Sequence, residues 1–400
     1  MLRRSDFCRR LLLWALVLLT VHAVAAGRSH GLVDVKNYSS AAGLSLKMIQ
    51  NMVQDEDGYI WIATWNGLEK FDGYTFRNYK SYPTDEERLQ HNRIQNVFLA
   101  FRNALWCETY DHKLYIFDTA AEKFINPFAS HPDVRVCDGF EKIFFTDNGV
   151  VWLAAPDGAM WRIDGERYMQ EGGILHFPAD GRQTEIYGVF SDAGGGEWIL
   201  GNAGYRVHGK EGISGMRRFL YAVRSGEDLM LVDDKGALAV YNTADGLKDV
   251  SLGVRLSDSR AATVLRDGRV AFPSLTGVLL YDPATGSSRH IGVEMSGAVE
   301  LIYEPSRQAA DSCLWMLAGP DVFRICLNGG KAERLSYPGL TETQFVFFVH
   351  EDESGELWVH PTHGPLCHYN HETGTLERAY CYSSGRSYPL PTNRRLLGIT

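Results

Sequence analysis

"DGYIWIATWNGLEKFDGYTFRNY", residues Asp57 to Tyr79, packs two tryptophans, four later tyrosine or phenylalanine rings and three glycines into 23 residues. The glycines, Gly58, Gly67 and Gly73, separate short runs rich in aromatic and β-branched residues. That is strand–turn–strand–turn–strand chemistry, because such side chains suit a pleated surface and glycine suits the tight turns between. The question is whether this stretch is a site or one unit of a repeat.

The rest of the chain answers it. "NALWCETYDHKLYIFDT" starts at Asn103, "NGVVWLAAPDGAMWRIDG" at Asn148 and "GGEWILGNAGYRVHG" at Gly195. "GEDLMLVDDKGALAVYN" follows at Gly226, "DGRVAFPSLTGVLLYD" at Asp267, "DSCLWMLAGPDVFRIC" at Asp311 and "SGELWVHPTHGPLCHYN" at Ser354. Eight copies share one plan: a turn, an apolar strand with a central large residue, a second turn, and a strand ending in an aromatic residue and Asp or a close relative. The central residues are Trp61, Trp106, Trp152, Trp198, Leu229 or Met230, Ala271, Trp315 and Trp358, spaced 41 to 46 apart with one step of 32. Flanking segments such as "LKMIQNMVQD" supply a strand before, and others such as "YTFRNY" and "TLERAYCY" a strand after. A period of about 40–45 residues with four short strands marks propeller blades. The expectation is an all-β chain: a β-propeller of four-stranded blades, seven blades plus the start of a second propeller. The boundaries are 32–340 for the first and 341–400 for the second. One four-stranded sheet cannot bury both faces alone, so blades stack and large rings fill the space between them. The six tryptophans read as structural blade anchors. No later segment shows sustained helical periodicity.

Residues 1–25 stand apart. Four arginines and Asp6 precede the apolar run Leu11–Val21, which is followed by small residues with Ala23 and Ala25 at the cleavage places. This is a secretory signal peptide in composition, shorter in its apolar core than the roughly 20 residues of a membrane span. Its removal takes the formal charge from −9 to −12. An acidic surface repels phosphate backbones and argues against a nucleic-acid partner. Six cysteines remain, in a setting that permits pairing. Cys313 and Cys326 fall opposite each other if the chain turns at Gly319–Asp321.

The segment Gly43–Tyr79, "GLSLKMIQNMVQDEDGYIWIATWNGLEKFDGYTFRNY", resembles the two-component regulator propeller repeat. Ala63 stands where that repeat has Gly, and Glu69-Lys70-Phe71 replaces its polar-Arg-Tyr pattern. The copies near 230 and 271 keep the spacing without the Trp. The resemblance implies the periplasmic sensor region of a hybrid two-component histidine kinase, an oligosaccharide ligand and a homodimer in the full receptor. It implies membrane attachment only through segments outside this fragment, and no cofactor. The fragment itself is expected not to be an enzyme. Its tail "YPLPTNRRLLGIT" resembles the start of another blade, and "LVDVKNYS", residues 32–39, a lone last strand.

Candidate ligand-binding residues follow from the register. Propeller sites lie on the face made by loops joining the second and third strands, and the fourth strand to the next blade. Those loops carry Trp65, Asn66, Tyr110, Asp111, His112, Asp157, Asn202 and Tyr205, with Asn92 and Arg93 before the second blade. Aromatic faces beside amides and charges suit sugars, whose C–H faces stack while their hydroxyls hydrogen-bond. Solvated turn residues are the alternative. The cluster His360, His363, Cys367, His368 and His371 follows no zinc spacing, and its neighbours point to opposite strand faces. "QDEDG", Gln54–Gly58, lacks the calcium-loop order and reads as a turn. No metal is expected. "DNGVVW" and "ESGELW" resemble the Asp-box turn of sialidase-like propellers, so a glycan-active propeller enzyme is the rival class, and a non-catalytic interaction scaffold the third. A glycosidase needs two convergent carboxylates that the spacing does not assemble.

Overall fold

Every described strand belongs to an antiparallel or mixed β-sheet, and the sheets follow the repeat. The structure is a computed structural model. It describes residues 32–33, 44, 49–82, 89, 91–101, 104–111, 113–128, 142–146, 149–165, 167–168, 172–179, 181–304, 313–319, 321–327, 329–335, 346–351, 355–361, 366–383 and 386–389. The signal-peptide segment 1–25, His112, Cys137 and His363 lie outside these residues, as do most of 32–39 and the end of the chain past 389.

Two compact units are present, one built from residues 36–334 and one from residues 335–394 with the N-terminal residues 1–35. The first holds seven four-stranded sheets, each with its strands in chain order. Blade 1 runs Ile49–Gln54, Ile60–Thr64, Gly67–Phe71 and Phe76–Tyr79. Blade 2 runs Ile94–Phe101, Ala104–Thr109, Leu114–Asp118 and Lys123–Ile125. The second strands of blades 3 to 7 are Val150–Ala154, Glu197–Gly201, Asp228–Asp233, Val270–Ser274 and Cys313–Ala318. Each copy of the repeat has become one blade, and the chain is an all-β propeller protein. The other unit holds an eighth four-stranded sheet, whose second strand is Leu357–Pro361, and a three-stranded sheet.

The core lies between blades. Trp61, Trp106, Trp152, Trp198 and Met230 are all fully buried on second strands, with Ala271 likewise enclosed and Trp315 and Trp358 nearly so. Trp61, Leu68 and Tyr79 of blade 1 pack on Leu105, Tyr115 and Phe117 of blade 2. Equivalent apolar clusters join blades 2 and 3, 3 and 4, 4 and 5, 5 and 6, and 6 and 7. Where the tryptophan is missing in blades 5 and 6, Tyr221, Met230 and Phe272 fill the same seam.

First strands recur in one further detail. Their pairing with the second strand shifts register near its start, at Ile49/Asn51, Ile94/Asn96, Ile186/Gly188, Phe219/Tyr221, Val299/Leu301 and Val346/Phe348. A bulge there adds local twist and redirects the residues just before it. Before the first strands of blades 2, 4, 5 and 7, those residues belong to the connection from the preceding blade.

One expectation needs revision in detail. "TLERAYCY" does not form one strand: Thr375–Arg378 closes the eighth sheet, while Tyr380–Ser383 pairs with Arg386–Pro389 and, in parallel, with Leu32–Val33. The break falls at Ala379, whose N–H is taken by the Leu366 carbonyl at 2.8 Å. The chain beyond it is free to pair elsewhere. Cys313 and Cys326 are opposed in the hairpin, with sulfurs 3.7 Å apart.

Candidate functional site

Blade 1 enters its second turn through Thr64. Its hydroxyl donates to the Gly67 carbonyl at 2.8 Å and accepts from the Asn66 N–H at 3.0 Å. Gly67 has φ +111°, and a Cβ there would meet the Tyr79 carbonyl oxygen at 2.3 Å, so the close turn needs glycine. Asn78 Nδ2 donates to the Asn66 carbonyl at 3.0 Å. These bonds fix the turn that presents Trp65, which is 37% exposed.

The connection from blade 1 to blade 2 then draws two turns together. The Asn92 carbonyl accepts the Gly67 N–H at 2.7 Å, and the Arg93 carbonyl accepts the Tyr110 N–H at 3.0 Å. Successive peptide groups thus hold the loops of successive blades. Asn92 is itself fixed: Oδ1 accepts from the Ser81 N–H at 2.8 Å and Nδ2 donates to the Ser81 carbonyl at 3.1 Å.

The side chains gathered this way form a platform. Trp65 and Tyr110 meet edge to face, ring centroids 6.2 Å apart at 69°. The exposed Arg93 guanidinium lies 5.7 Å from the Trp65 ring centre and 6.0 Å from that of Tyr110. His91 stands edge-on to Tyr110 at 6.5 Å. Its Nδ1 accepts the Arg93 N–H at 3.2 Å, which leaves Nε2 to donate to Asp111 Oδ1 at 3.0 Å. Asp111 also accepts from the Thr109 hydroxyl at 2.6 Å, with Lys113 Nζ 3.7 Å away. Burial pushes the Asp111 carboxyl up, but the Thr109 bond, His91 and Lys113 outweigh it and hold it below the usual carboxylate range. The carboxylate is ionised at neutral pH.

Of the residues singled out from sequence, Trp65, Arg93, Tyr110 and Asp111 come together here, with the Asn66 and Asn92 main chains as their frame. Asp157 and Tyr205 lie elsewhere. Asp157 Oδ1 accepts the Ala159 N–H at 2.9 Å in the blade 3 turn. The Tyr205 ring stacks on Trp198 at 5.3 Å and 16°, and lies 5.3 Å from Phe219, in the seam of blades 4 and 5. Asn202 is held to Glu185 by main-chain and side-chain bonds. His91 was not singled out, although it directly precedes Asn92 and Arg93. In the other unit, His368 is buried with its ring 5.8 Å from Trp358, and His371 meets Tyr369 edge-on.

A second concave feature was also missed. A recess of about 500 Å³ is lined by Met216, Arg217, Arg218, Asp233, Asp234 and Lys235. It occupies the corresponding loops three seams further round, between blades 4 and 5. Arg217 is paired with Asp233 at 2.8 Å and with Asp249, and Arg218 with Asp234.

Comparison with known proteins places the repeat. Residues 43–66 match the model of the two component regulator propeller family. A stretch of 81 residues is 28% identical to Histidine kinase P4 of Formosa agariphila, covering 20% of this chain and 6% of that protein. The fold is similar to an extracellular domain assigned to the hybrid two component system BT3049 of B. thetaiotaomicron, at 15% identity and TM-score 0.45, covering 81% of this chain and 40% of that one. It is also similar to virginiamycin B lyase of Staphylococcus aureus, at 13% identity and TM-score 0.40, covering 80% of this chain and 94% of that one. The chain is a β-propeller protein that carries the two component regulator propeller repeat.

Proposed function

We propose that the chain is the ligand-sensing propeller module of a transmembrane two-component regulator. It sits in the periplasm after export by its N-terminal signal and recognises an oligosaccharide. The signal passes to a histidine kinase encoded beyond this fragment, through a change in receptor dimers. The observation that carries the ligand reading is the platform of Trp65, Tyr110 and Arg93 on the blade 1–blade 2 seam. A buried ring needs no function to explain it. Two half-exposed rings held edge to face beside a cation cost apolar exposure and contribute nothing to the inter-blade core, which is the mark of a binding surface. Rings of this kind stack on sugar C–H faces, and Arg93, His91 and the loop amides supply directional bonds to hydroxyls. The repeat's family model and the kinase relative support the sensory role.

Titration calorimetry of the purified chain with an oligosaccharide panel tests this reading. Binding without turnover, weakened at least tenfold by Trp65→Ala, is the expected result. Release of cleaved or eliminated product would identify a glycan-active enzyme instead, and the absence of heat with every glycan would leave the scaffold class.

A further inference from the structure

The internal repeat shows what Arg93 lacks. Arg93 is the residue immediately before the first strand of blade 2, and Tyr110 the one immediately after its second strand. In blade 5 the same two places are held by Arg218, before Phe219–Ser225, and Asp234, after Asp228–Asp233. The backbone confirms the equivalence: the Tyr110 N–H donates to the Arg93 carbonyl and the Asp234 N–H to the Arg218 carbonyl, both at 3.0 Å. In blade 5 the arginine is neutralised by the aspartate facing it. In blade 2 a tyrosine stands where that carboxylate would be. Blade 6 carries a third version, with the Leu275 N–H donating to the Arg255 carbonyl, and an aliphatic residue there brings no ring to the cation.

Among the described residues Arg93 forms no ion pair. The nearby carboxylate, Asp111, is engaged by His91, Thr109 and Lys113. The guanidinium therefore presents its donor edge to solvent, against two aromatic rings. A planar five-donor cation in that setting is suited to a carboxylate or sulfate, taken by paired N–H···O bonds while the ring that bears it stacks alongside.

We infer that the platform selects acidic saccharides, meaning sugar rings that carry a carboxylate or a sulfate, with Arg93 as the residue that reads the charge. This rests on the saccharide reading above and narrows it. Tyr110 is the switch in the repeat: it supplies a stacking face and, by replacing aspartate, leaves the cation available. The exposed site and the chain's acidic balance make the attraction local and sensitive to salt.

The test uses matched pairs. Uronate-containing oligosaccharides are titrated beside their methyl esters, and sulfated ones beside their desulfated forms, against the chain, Arg93→Ala and Tyr110→Asp. At least one acidic member should bind tenfold or more tightly than its uncharged twin. That preference should fall to within twofold in both variants and shrink as salt is raised. Which arm responds separates carboxylate from sulfate. Tyr110→Asp recreates the pair that blade 5 already carries, so its melting temperature should match the parent chain and a loss of preference is not a loss of fold. Equal binding of charged and uncharged twins would overturn the inference and leave the saccharide reading intact. Failure of every glycan to bind would overturn both.

Discussion

Asp55 and Asp192 each stand six residues before a buried tryptophan, and each does two jobs. In blade 1, Asp55 Oδ1 accepts the Asp57 and Tyr59 N–H groups at 3.1 and 2.9 Å, while Oδ2 accepts Trp61 Nε1–H at 2.7 Å. In blade 4, Asp192 Oδ1 accepts from Gly194 and Gly196, and Oδ2 accepts Trp198 Nε1–H at 2.9 Å. One carboxylate thus shapes the turn and satisfies the single polar atom of the blade's largest core residue. Blade 3 has Thr146 at that place, and the buried Trp152 Nε1 has no hydrogen-bond partner among the described residues. A buried donor left unpaired costs about 1–3 kcal/mol. Two substitutions follow in opposite directions. Asp192→Ala should lower the unfolding free energy by about 1–3 kcal/mol, whereas Thr146→Asp should raise it by about 1 kcal/mol. Urea titrations with unchanged slope would show both. "QDEDG" was legible as a turn from composition, but the bond from Asp55 to Trp61 was not, because it depends on side chains six residues apart closing over a hairpin.

Blades are joined by polar contacts as well as by rings. Arg162 on the third strand of blade 3 reaches Glu197 on the second strand of blade 4, Nε at 2.7 Å and the second nitrogen at 3.2 Å. Glu197 is almost fully buried. Arg162→Ala would leave that carboxylate enclosed without its partner, a loss of about 3–5 kcal/mol; Arg162→Ala with Glu197→Leu should recover most of it, measured in the same titration. Asn51 does comparable work between blades 1 and 2, its side-chain oxygen accepting the Val97 N–H at 2.8 Å and its amide donating to the Val97 carbonyl at 3.2 Å. The pair of Asp192 and Lys210 sets a pH dependence. Burial raises the Asp192 pKa, but the bonds from Lys210, Trp198 and Gly196 and the Lys210 charge win, so the folded value lies below the ordinary one. A lowered carboxylate pKa stabilises the fold above the unfolded value of about 4, and that contribution is lost as pH falls through the folded value. Burial alone would lower Lys210, yet its bonds and charge contacts to Asp192 and Tyr241 raise it. The pair is therefore complete between about pH 4 and about pH 10. Thermal unfolding of Asp192→Asn should lose less stability between pH 6 and pH 3 than the parent chain.

At the scale of the whole propeller unit, each blade contacts its sequence neighbours, so damage should spread locally. Trp198 packs with Phe219, Leu229, Leu231 and Tyr241 of blade 5. Trp198→Ala should cost about 3–5 kcal/mol. Hydrogen exchange should quicken first in blades 4 and 5, before the strands of blade 1, as expected of stacked units with nearest-neighbour interfaces. Uniform loss of protection across all seven sheets would argue for one indivisible cooperative unit.

The amino-acid order determined the four-strand plan of the eight repeated sheets, their turns and the loops that carry chemistry. These depend on residues close in the chain: alternating burial along a strand, glycine where φ must be positive, and a large ring every forty-odd positions. Even Trp65, Tyr110 and Arg93 were placed on one face by counting strands. Tertiary structure decided which of those loop residues meet. Asn92 and Arg93 bring two blades' turns together through main-chain bonds, while Asp157 serves its own turn and Tyr205 is drawn into a seam between blades. It also decided that Arg218 is neutralised and Arg93 is not. The reason is physical: a strand's identity is set by its own side-chain period, whereas a guanidinium's charge balance is set by the residue that another turn of the chain places opposite it.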